Sequence, residues 1–269
     1  MRWIWPALAV GAGALVYGAL FETERLKPVR RKLLLPDWPE HLNGFKLGLM
    51  ADMHVRDRET ISLTKAALKW LADEEPDIVA YVGDYVNFWE EGRLEQLEFA
   101  MEEADAFAGK SVAVPGNHDY FTPWPPEFEA LLKRKGVKLL RNEVTTLAGI
   151  QWVGIDSANA GMADPFTPIL ECDPCEPMVV LWHEPDMVDY LPRGAQLMLA
   201  GHSHGGQFLT PWGWAPKKTV NGRKYVRGFY RHAPTPLYVS AGLATTGPPA
   251  RLFCPPEVTL LTLYRGSNS

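Results

Sequence analysis

The chain has 269 residues, of which 46% are hydrophobic, which is enough to bury the core of one large α/β domain. A net charge of -5 and the lack of any long lysine- and arginine-rich run argue against nucleic acid as a structural partner. Three cysteines are too few for a disulfide framework. Cys172 and Cys175 form a C-x-x-C without a second such pair for a zinc site, which favours a pair of loop thiols or one disulfide.

The chain begins with an uncharged apolar segment. Residues 3–21 read WIWPALAVGAGALVYGALF and would be roughly 28 Å long as a helix, about the thickness of a bilayer core. We therefore predict a membrane anchor in residues 1–22, with a signal segment as the alternative. Basic residues in the following ETERLKPVRRK place the rest of the chain on the cytoplasmic face by the positive-inside rule. The prediction is a membrane-associated protein with a single N-terminal span.

The segment after the anchor is predicted to be a linker over residues 23–44. Pro28, Pro36 and Pro39 suit an extended connection better than a helix. The remaining residues, 45–269, are predicted to form one domain.

Strand-length apolar runs and helical spacing alternate at the start of this domain. Apolar runs at 46–52, 77–84 and 111–119 are separated by helical patterns at 61–74 and 93–107, which is typical of βαβ units on a parallel sheet. A third helix is predicted near 126–135 and a hairpin turn at Ala148-Gly149, followed by strands at 177–182, 196–200, 236–243 and 257–263. The predicted fold is α/β, with two facing mixed β-sheets flanked by helices in a four-layer α/β/β/α sandwich, preceded by the N-terminal transmembrane helix.

Five of the predicted strands end in polar clusters. The clusters contain Asp52 and His54, Gly83-Asp84, Asn117-His118-Asp119, His183, and the pair His202 and His204. Each cluster alone is explained as a turn, a helix cap or a core histidine. Together they hold five of the seven histidines, and ligands of α/β sheets bind beyond the carboxyl ends of the strands. We therefore predict that the clusters meet in one crevice.

The side chains in these clusters are of the kinds that bind metals. If the strand geometry persists past Gly201, His202 and His204 point to the same side. Carboxylate, imidazole and amide donors without thiolate suit Mn²⁺, Fe or Zn²⁺. Seven donors exceed the needs of one ion and match two ions that share a carboxylate, an arrangement that recurs in phosphoryl chemistry.

The same motifs, in the order DMH, GDYVN, GNHD, a lone histidine and GHSH, resemble those of the calcineurin-like metallophosphoesterases. GHSHGGQ, KYVRGFY, YVSAGLATTG and RLFCPPEVTLLTL resemble a membrane-associated bacterial subgroup of that family more closely. The resemblance implies a phosphoesterase that uses two divalent ions and in-line attack by a metal-bridging hydroxide. It assigns Asp52, His54 and His204 to one ion, Asn117, His183 and His202 to the other, and Asp84 to both.

The resemblance also implies roles for residues around the ligands. His118 would interact with the phosphate and protonate or stabilise the leaving oxygen, as an imidazole can near neutral pH. Asp119 would support the ligands. Asn87 stands where the protein phosphatase branch has an aspartate beside the catalytic histidine; it can accept a hydrogen bond from His118 but has no charge. The absence of the arginine that follows in that branch argues against a Ser/Thr protein phosphatase.

The substrate is predicted from the loop at 208–232, which combines aromatic and basic residues directly after the GHSH motif. Near a membrane it suits an amphiphilic phosphate ester; an ordinary solvated loop is the alternative. We predict hydrolysis of a phosphodiester or pyrophosphate bond, with a nucleotide-linked lipid such as UDP-2,3-diacylglucosamine as a first candidate that the resemblance suggests. A phosphomonoesterase and an inactive metal-binding scaffold are the alternatives. Gln207 has no role in this scheme.

Overall fold

The computed structural model describes residues 11, 13 and 16–266. Its first sheet has six strands in the order β1-β12-β2-β3-β4-β5. The strands are β1 (Lys27–Leu35), β2 (Phe45–Met50), β3 (Ile78–Val82), β4 (Ser111–Val114), β5 (Val137–Leu139) and β12 (Glu257–Arg265). β2 to β5 run parallel, as the βαβ pattern predicts, whereas β12 is antiparallel to β2.

Helices cover the outer face of this sheet. They are α1 (Arg58–Glu74), α2 (Arg93–Ala100) and α3 (Pro126–Arg134). α1 starts at a capping box in which the Asp57 carboxylate accepts from the main-chain N–H of Thr60, and it ends at Glu75 in the left-handed region. The helix predicted at 93–107 is divided, because α2 ends at Ala100 and a 3₁₀ helix follows over Glu102–Phe107.

The second sheet also has six strands, in the order β10-β11-β9-β8-β7-β6. They are β6 (Glu143–Leu147), β7 (Ile150–Ile155), β8 (Met178–Trp182), β9 (Leu197–Ala200), β10 (Gly228–Tyr230) and β11 (Leu237–Val239). The predicted hairpin turn at Ala148-Gly149 joins β6 and β7, and both residues have positive φ as a two-residue hairpin turn requires. The short helix α4 (Thr167–Leu170) and a 3₁₀ helix at Pro185–Tyr190 lie on the way between strands.

The two sheets face each other across a buried apolar layer. Leu49 and Val82 of the first sheet belong to the same cluster as Trp152, Leu181 and Leu199 of the second. Separate clusters fill the space beyond each sheet. The predicted pair of mixed sheets flanked by helices is confirmed, and the carboxyl ends of β2, β3, β4, β8 and β9 border the same region.

The predicted N-terminal transmembrane helix is wrong, since no helix in the part of the chain that the structure describes is long and apolar enough to cross a membrane. Of the predicted segment, residues 1–10, 12, 14 and 15 lie outside the described residues. The end nearest the domain, Gly18–Glu22, is a π-helical turn held against the domain: Gly18 accepts a hydrogen bond from Arg251, and the buried Glu22 carboxylate accepts one from Cys254. The prediction of a single N-terminal span is therefore wrong, and so is the membrane localisation that was derived from it.

Residues 23–44, predicted to be a linker, contain β1, which pairs in parallel with β12 along its whole length. Trp38, just after β1, is buried against Phe45. The division of the chain at residues 22 and 44 stays a prediction. Cys172, Cys175 and Cys254 are all free thiols, so the C-x-x-C forms no disulfide.

Candidate metal centre

The polar clusters lie where the strand order predicts, at the carboxyl ends of neighbouring strands. Asp52 follows β2 and Asp84 follows β3, and the main-chain N–H of Asp52 donates to Gly83. His183 follows β8, and its carbonyl accepts from Gly201 just after β9. The two sheets therefore bring ligand-type side chains into one buried crevice.

One group of four side chains offers metal-binding atoms within 4.8 Å of one another: Asp52, His54, Asp84 and His204. His54 Nε2 lies 3.2 Å from His204 Nε2 and 3.4 Å from Asp84 Oδ2. His204 Nε2 lies 3.5 Å from Asp52 Oδ1. All four are buried, so the group has the donor atoms and the burial from solvent that suit a metal site.

A second group consists of Asp84, His183 and His202, also within 4.8 Å of one another. His183 Nε2 lies 3.2 Å from Asp84 Oδ2 and 4.0 Å from Asp52 Oδ1. Because Asp84 belongs to both groups, its carboxylate stands between two clusters of imidazoles. Asn117, which the resemblance assigns to this side, is buried, and its side-chain oxygen has no hydrogen-bond partner among the described residues.

The two histidines of GHSH do not continue the strand. His202 has φ 67° and His204 has φ 50°, whereas Ser203 between them has φ -77°, so the strand geometry does not persist past Gly201. The chain turns, and the rings enter different groups.

Left-handed backbone is a shared feature of the ligand-type residues. Five of them have positive φ, although none is glycine: Asp52, His54, Asp84, His202 and His204. Such conformations cost of the order of 1 kcal/mol or more and collect at functional sites. Gly83 shows how tight the packing is, because a Cβ there would lie 2.7 Å from the main chain of Gly116. These loops therefore adopt backbone conformations that cost stability and that place the ligand-type side chains at the centre.

Several buried polar atoms at the centre lack hydrogen-bond partners. Among the described residues they include Asp84 Oδ2, His183 Nε2, His54 Nδ1 and the Asn117 side-chain oxygen. A fold seldom buries such atoms unpaired unless something else binds them. Metal ions would satisfy Asp84 Oδ2, His183 Nε2 and the Asn117 oxygen, so the residues present fit a pair of divalent ions.

Main-chain carbonyls orient two of the imidazoles. Nδ1 of His183 lies 2.8 Å from the carbonyl of Val82, and Nδ1 of His204 lies 3.0 Å from that of Ala244. Each carbonyl accepts a hydrogen bond from Nδ1–H, which directs Nε2 of the same ring towards the centre. His202 uses the opposite nitrogen, since its Nε2 lies 2.6 Å from the Val220 carbonyl.

Burial keeps three of the histidines neutral. It lowers the pKa of His54 and His204 well below the usual range and also lowers the pKa of His202. A neutral imidazole is the form that binds a metal.

At Asp84 and His183 nearby charges outweigh burial, whereas at Asp52 burial dominates. Burial raises the pKa of Asp52 to about 7, opposed by His183 and assisted by the nearby Asp84. Burial also disfavours ionised Asp84, but His183 and His54 outweigh it and hold the pKa of Asp84 well below its usual range. Burial would lower the pKa of His183, yet Asp84 and Asp52 raise it well above normal. Nearby positive charge would stabilise the ionised form of these two buried carboxylates, and a pair of divalent ions would supply that charge.

His118 stands beside the ligands. Its main-chain N–H donates to Asp84 Oδ1 at 2.8 Å, and its ring lies edge-on to His54 with centroids 4.6 Å apart. Its Nδ1 lies 3.0 Å from the main-chain carbonyl of Asn87, not from the Asn87 side chain. The acceptor that we predicted at Asn87 is therefore a carbonyl, which any residue at position 87 would provide.

Asp119 ties two of the clusters together. Its buried carboxylate accepts hydrogen bonds from the main-chain N–H groups of Asp84 and Gly116, at 3.0 and 2.8 Å, and from those of Tyr85 and Val86. It does not belong to either group of converging ligand atoms. Asp119 holds the loop of Asp84 against the loop of Asn117, which agrees with the supporting role that the resemblance gives it.

Sequence reasoning missed Arg251. Its side chain is fully buried, and its guanidinium donates to the carbonyls of Ala241, Gly242 and Cys254. It also donates to the carbonyl of Ala244, which faces His204. A positive charge in the RLFCPP segment gave no sign of such a role, because the partners are main-chain oxygens brought together only by the fold.

The structure gives Gln207 a role. Its side-chain nitrogen donates to the carbonyls of Thr246 and Pro248, and its side-chain oxygen accepts from the Thr246 N–H at 3.1 Å. The last polar residue of GHSHGGQ thus fastens the 246–248 loop beside the site.

Two further acidic residues organise loops around the centre. Buried Glu184 accepts from the Ser157 hydroxyl and from main-chain N–H groups of residues 158 and 159. Asp186 accepts from the main-chain N–H groups of residues 223–225. It therefore anchors the aromatic and basic loop, in which Trp212 and Trp214 are exposed. An aspartate in a short 3₁₀ helix carries no sequence signal of this contact.

Comparisons with known proteins agree with this geometry. The family described as calcineurin-like phosphoesterase matches residues 45–206, which is more than half of the chain. The phosphodiesterase YaeI of Escherichia coli is 31% identical over 228 residues, covering 81% of this chain and 82% of YaeI.

Two more distant proteins resemble nearly the whole chain. The UDP-2,3-diacylglucosamine pyrophosphatase LpxG of Chlamydia muridarum is 24% identical over 300 residues, covering 89% of this chain and 90% of LpxG. The crystal structure of a dimetal phosphatase from Danio rerio superposes with a TM-score of 0.50 at 14% identity, covering 82% of this chain and 93% of that chain, and so shares the fold. The chain belongs to the calcineurin-like phosphoesterase family and is a metal-dependent phosphoester hydrolase.

Proposed function

We propose that this enzyme hydrolyses a phosphodiester or pyrophosphate bond with two divalent ions held on either side of Asp84. The observation that carries the proposal is the shared carboxylate, because Asp84 belongs to both groups of converging ligand atoms. The same carboxylate accepts a hydrogen bond from the main-chain N–H of His118. Asp52, His54 and His204 would hold one ion, and Asn117, His183 and His202 the other.

The chemistry that such ions supply when bound is charge stabilisation at phosphate oxygens and acidification of a water molecule. The donor set contains no thiolate, which supports Mn²⁺, Fe or Zn²⁺ in this role.

The chain's own contribution is a fixed imidazole. With Nδ1–H directed at the carbonyl of Asn87, His118 presents Nε2 to a bound phosphate ester. Its ring is only partly buried, and it is packed between His54 and Phe121, with centroids 4.6 and 4.1 Å away. With a second proton on Nε2, His118 would deliver that proton to the leaving oxygen or donate a hydrogen bond to it as charge develops there.

The similar proteins suggest which esters to test. YaeI is named as a phosphodiesterase and LpxG as a UDP-2,3-diacylglucosamine pyrophosphatase. A nucleotide-linked lipid such as UDP-2,3-diacylglucosamine is our proposed physiological substrate. Support comes from the loop that Asp186 holds, where exposed Trp212 and Trp214 are near basic residues and Val220 contacts the ligand-type His202.

Hydrolysis of bis-p-nitrophenyl phosphate and of p-nitrophenyl phosphate, both with added Mn²⁺, tests the reaction class. We expect the diester to be the better substrate. His118→Ala should lower kcat by about 10²- to 10⁴-fold while the metal content stays the same. His232→Ala removes an exposed histidine outside the centre and serves as the matched control.

A faster reaction with the monoester would favour the phosphomonoesterase alternative. Protein that binds metal but hydrolyses neither ester with any divalent ion would support the inactive scaffold. A fully active His118→Ala variant would remove His118 from the mechanism.

A further inference from the structure

A cavity of about 260 Å³ opens beside the first group of ligand-type residues. Its lining includes His204 and Ser203 together with Gln207, Phe208 and Pro248. Because His204 belongs both to the cavity and to the metal centre, a group in the cavity would lie close to a phosphate held at the centre.

The cavity also contains basic residues. Lys217 and Lys218 line it, and no carboxylate is among the described residues that do so. Neither lysine takes part in a salt bridge within the described part of the chain; the Lys218 ammonium donates one hydrogen bond, to the carbonyl of Arg223. Two positive charges without a counter-ion favour an anion in this cavity.

Hydroxyl groups add to this preference. Thr219 and Thr246 also line the cavity, and the buried hydroxyl of Thr219 has no hydrogen-bond partner among the described residues. An oxyanion with several oxygens can accept hydrogen bonds from both ammonium groups together, and charge-assisted hydrogen bonds of this kind are the stronger ones.

We propose that this cavity binds the second phosphate group of a pyrophosphate diester while the first lies at the metal centre. Lys217 and Lys218 would then be specificity-determining residues that favour pyrophosphates over simple phosphodiesters. The inference rests on the proposed function, since it requires hydrolysis at the centre, and it selects between the two bond types that the proposal allows.

The test compares kcat/KM for UDP-2,3-diacylglucosamine with kcat/KM for bis-p-nitrophenyl phosphate in the full chain loaded with Mn²⁺. The ratio of the two should fall about tenfold or more in Lys217→Ala/Lys218→Ala, because only the first substrate has a second phosphate. Lys217→Arg/Lys218→Arg keeps both charges and should recover most of the ratio.

Lys224→Ala is the matched control. It removes one positive charge from the same loop, but the Lys224 ammonium is paired with Asp189, and Lys224 does not line the cavity. We expect it to leave the ratio unchanged.

Three results would overturn the inference: hydrolysis of the diester by the wild-type protein without hydrolysis of the pyrophosphate, an equal loss on both substrates in the double alanine variant, or the same fall of the ratio in Lys224→Ala. If the wild-type protein hydrolyses neither substrate, the proposed function itself has failed.

Discussion

The two ligand groups share Asp84 but differ in their depth in the protein. Asp52, His54 and His204 are at most 2% exposed, whereas His202 of the second group is 6% exposed and Asn117, which the resemblance assigns to the same side, is 8% exposed. His183 is buried like the first group, so the difference arises at the two residues nearest the loops. The first group is the more enclosed half of the centre.

The supporting contacts differ in the same direction. The Asp52 carbonyl accepts a hydrogen bond from the main-chain N–H of Ala244, and the Ala244 carbonyl accepts one from the fully buried Arg251. The first group is therefore supported by buried residues of the domain. His202 is oriented by the Val220 carbonyl and lies near Asn159, and both belong to connecting loops. Ligands with more rigid support bind metal more tightly, so we expect the first group to retain its ion longer.

The most damaging change should be Asp84→Asn, because it removes the charge that both groups share. We expect the protein to lose bound Mn²⁺ and kcat to fall by about 10³-fold or more, since each 1.4 kcal/mol of lost transition-state stabilisation costs about tenfold. Metal analysis after gel filtration, together with the diester assay, measures both effects. Asp73→Asn, on the exposed face of α1, is the control; two retained ions in Asp84→Asn would show that the centre does not depend on this carboxylate.

Removing one histidine from each group tests the comparison itself. His202→Ala should keep about one equivalent of Mn²⁺, because the enclosed group is intact. His54→Ala should keep less than one equivalent, since only the shallower group remains complete. The measurement is metal content after dialysis against a weak chelator. The opposite order would mean that burial does not determine which ion is held more tightly.

Arg251→Met tests the support behind the first group. The free energy of unfolding should fall by roughly 3 kcal/mol, because several buried carbonyls lose charged donors at once. Urea unfolding measures this change. Arg134→Met, which removes an exposed salt bridge with Glu98, should cost less than about 1 kcal/mol. Equal stabilities of the two variants would refute the role of Arg251.

The smallest effect is expected for Asn87→Ala. The acceptor for His118 is the main-chain carbonyl of residue 87, so the side chain can change without loss of the hydrogen bond. We expect kcat for the diester to change by less than about threefold, within the spread usual for a neutral neighbour. A loss close to that of His118→Ala would show that the side chain of Asn87, not its carbonyl, positions the imidazole.

The sequence was sufficient to predict the sandwich and the residues that meet at the centre. Strand-end clusters are visible in a sequence because a strand and the residue after it are contiguous, so Asp52 and Asp84 could be placed at one sheet edge. The family resemblance then separated His202 from His204, which spacing alone had grouped together.

Features that depend on distant contacts could not be read in this way. Arg251 contacts the His204 carbonyl across 47 positions, and the left-handed turns at His202 and His204 follow from packing rather than from local sequence. The apolar run at 3–21 gave a strong membrane signal by composition, yet the described residues contain no helix able to span a bilayer. Composition cannot show that Gly18–Glu22 packs against the domain.

Anomalous scattering from crystals grown with Mn²⁺ would test the shared carboxylate most directly. We predict two manganese peaks in each chain, both within bonding distance of the Asp84 carboxylate, one beside His54 and His204 and the other beside His183 and His202. A single peak, or two peaks of which only one contacts Asp84, would contradict a binuclear centre built around that residue.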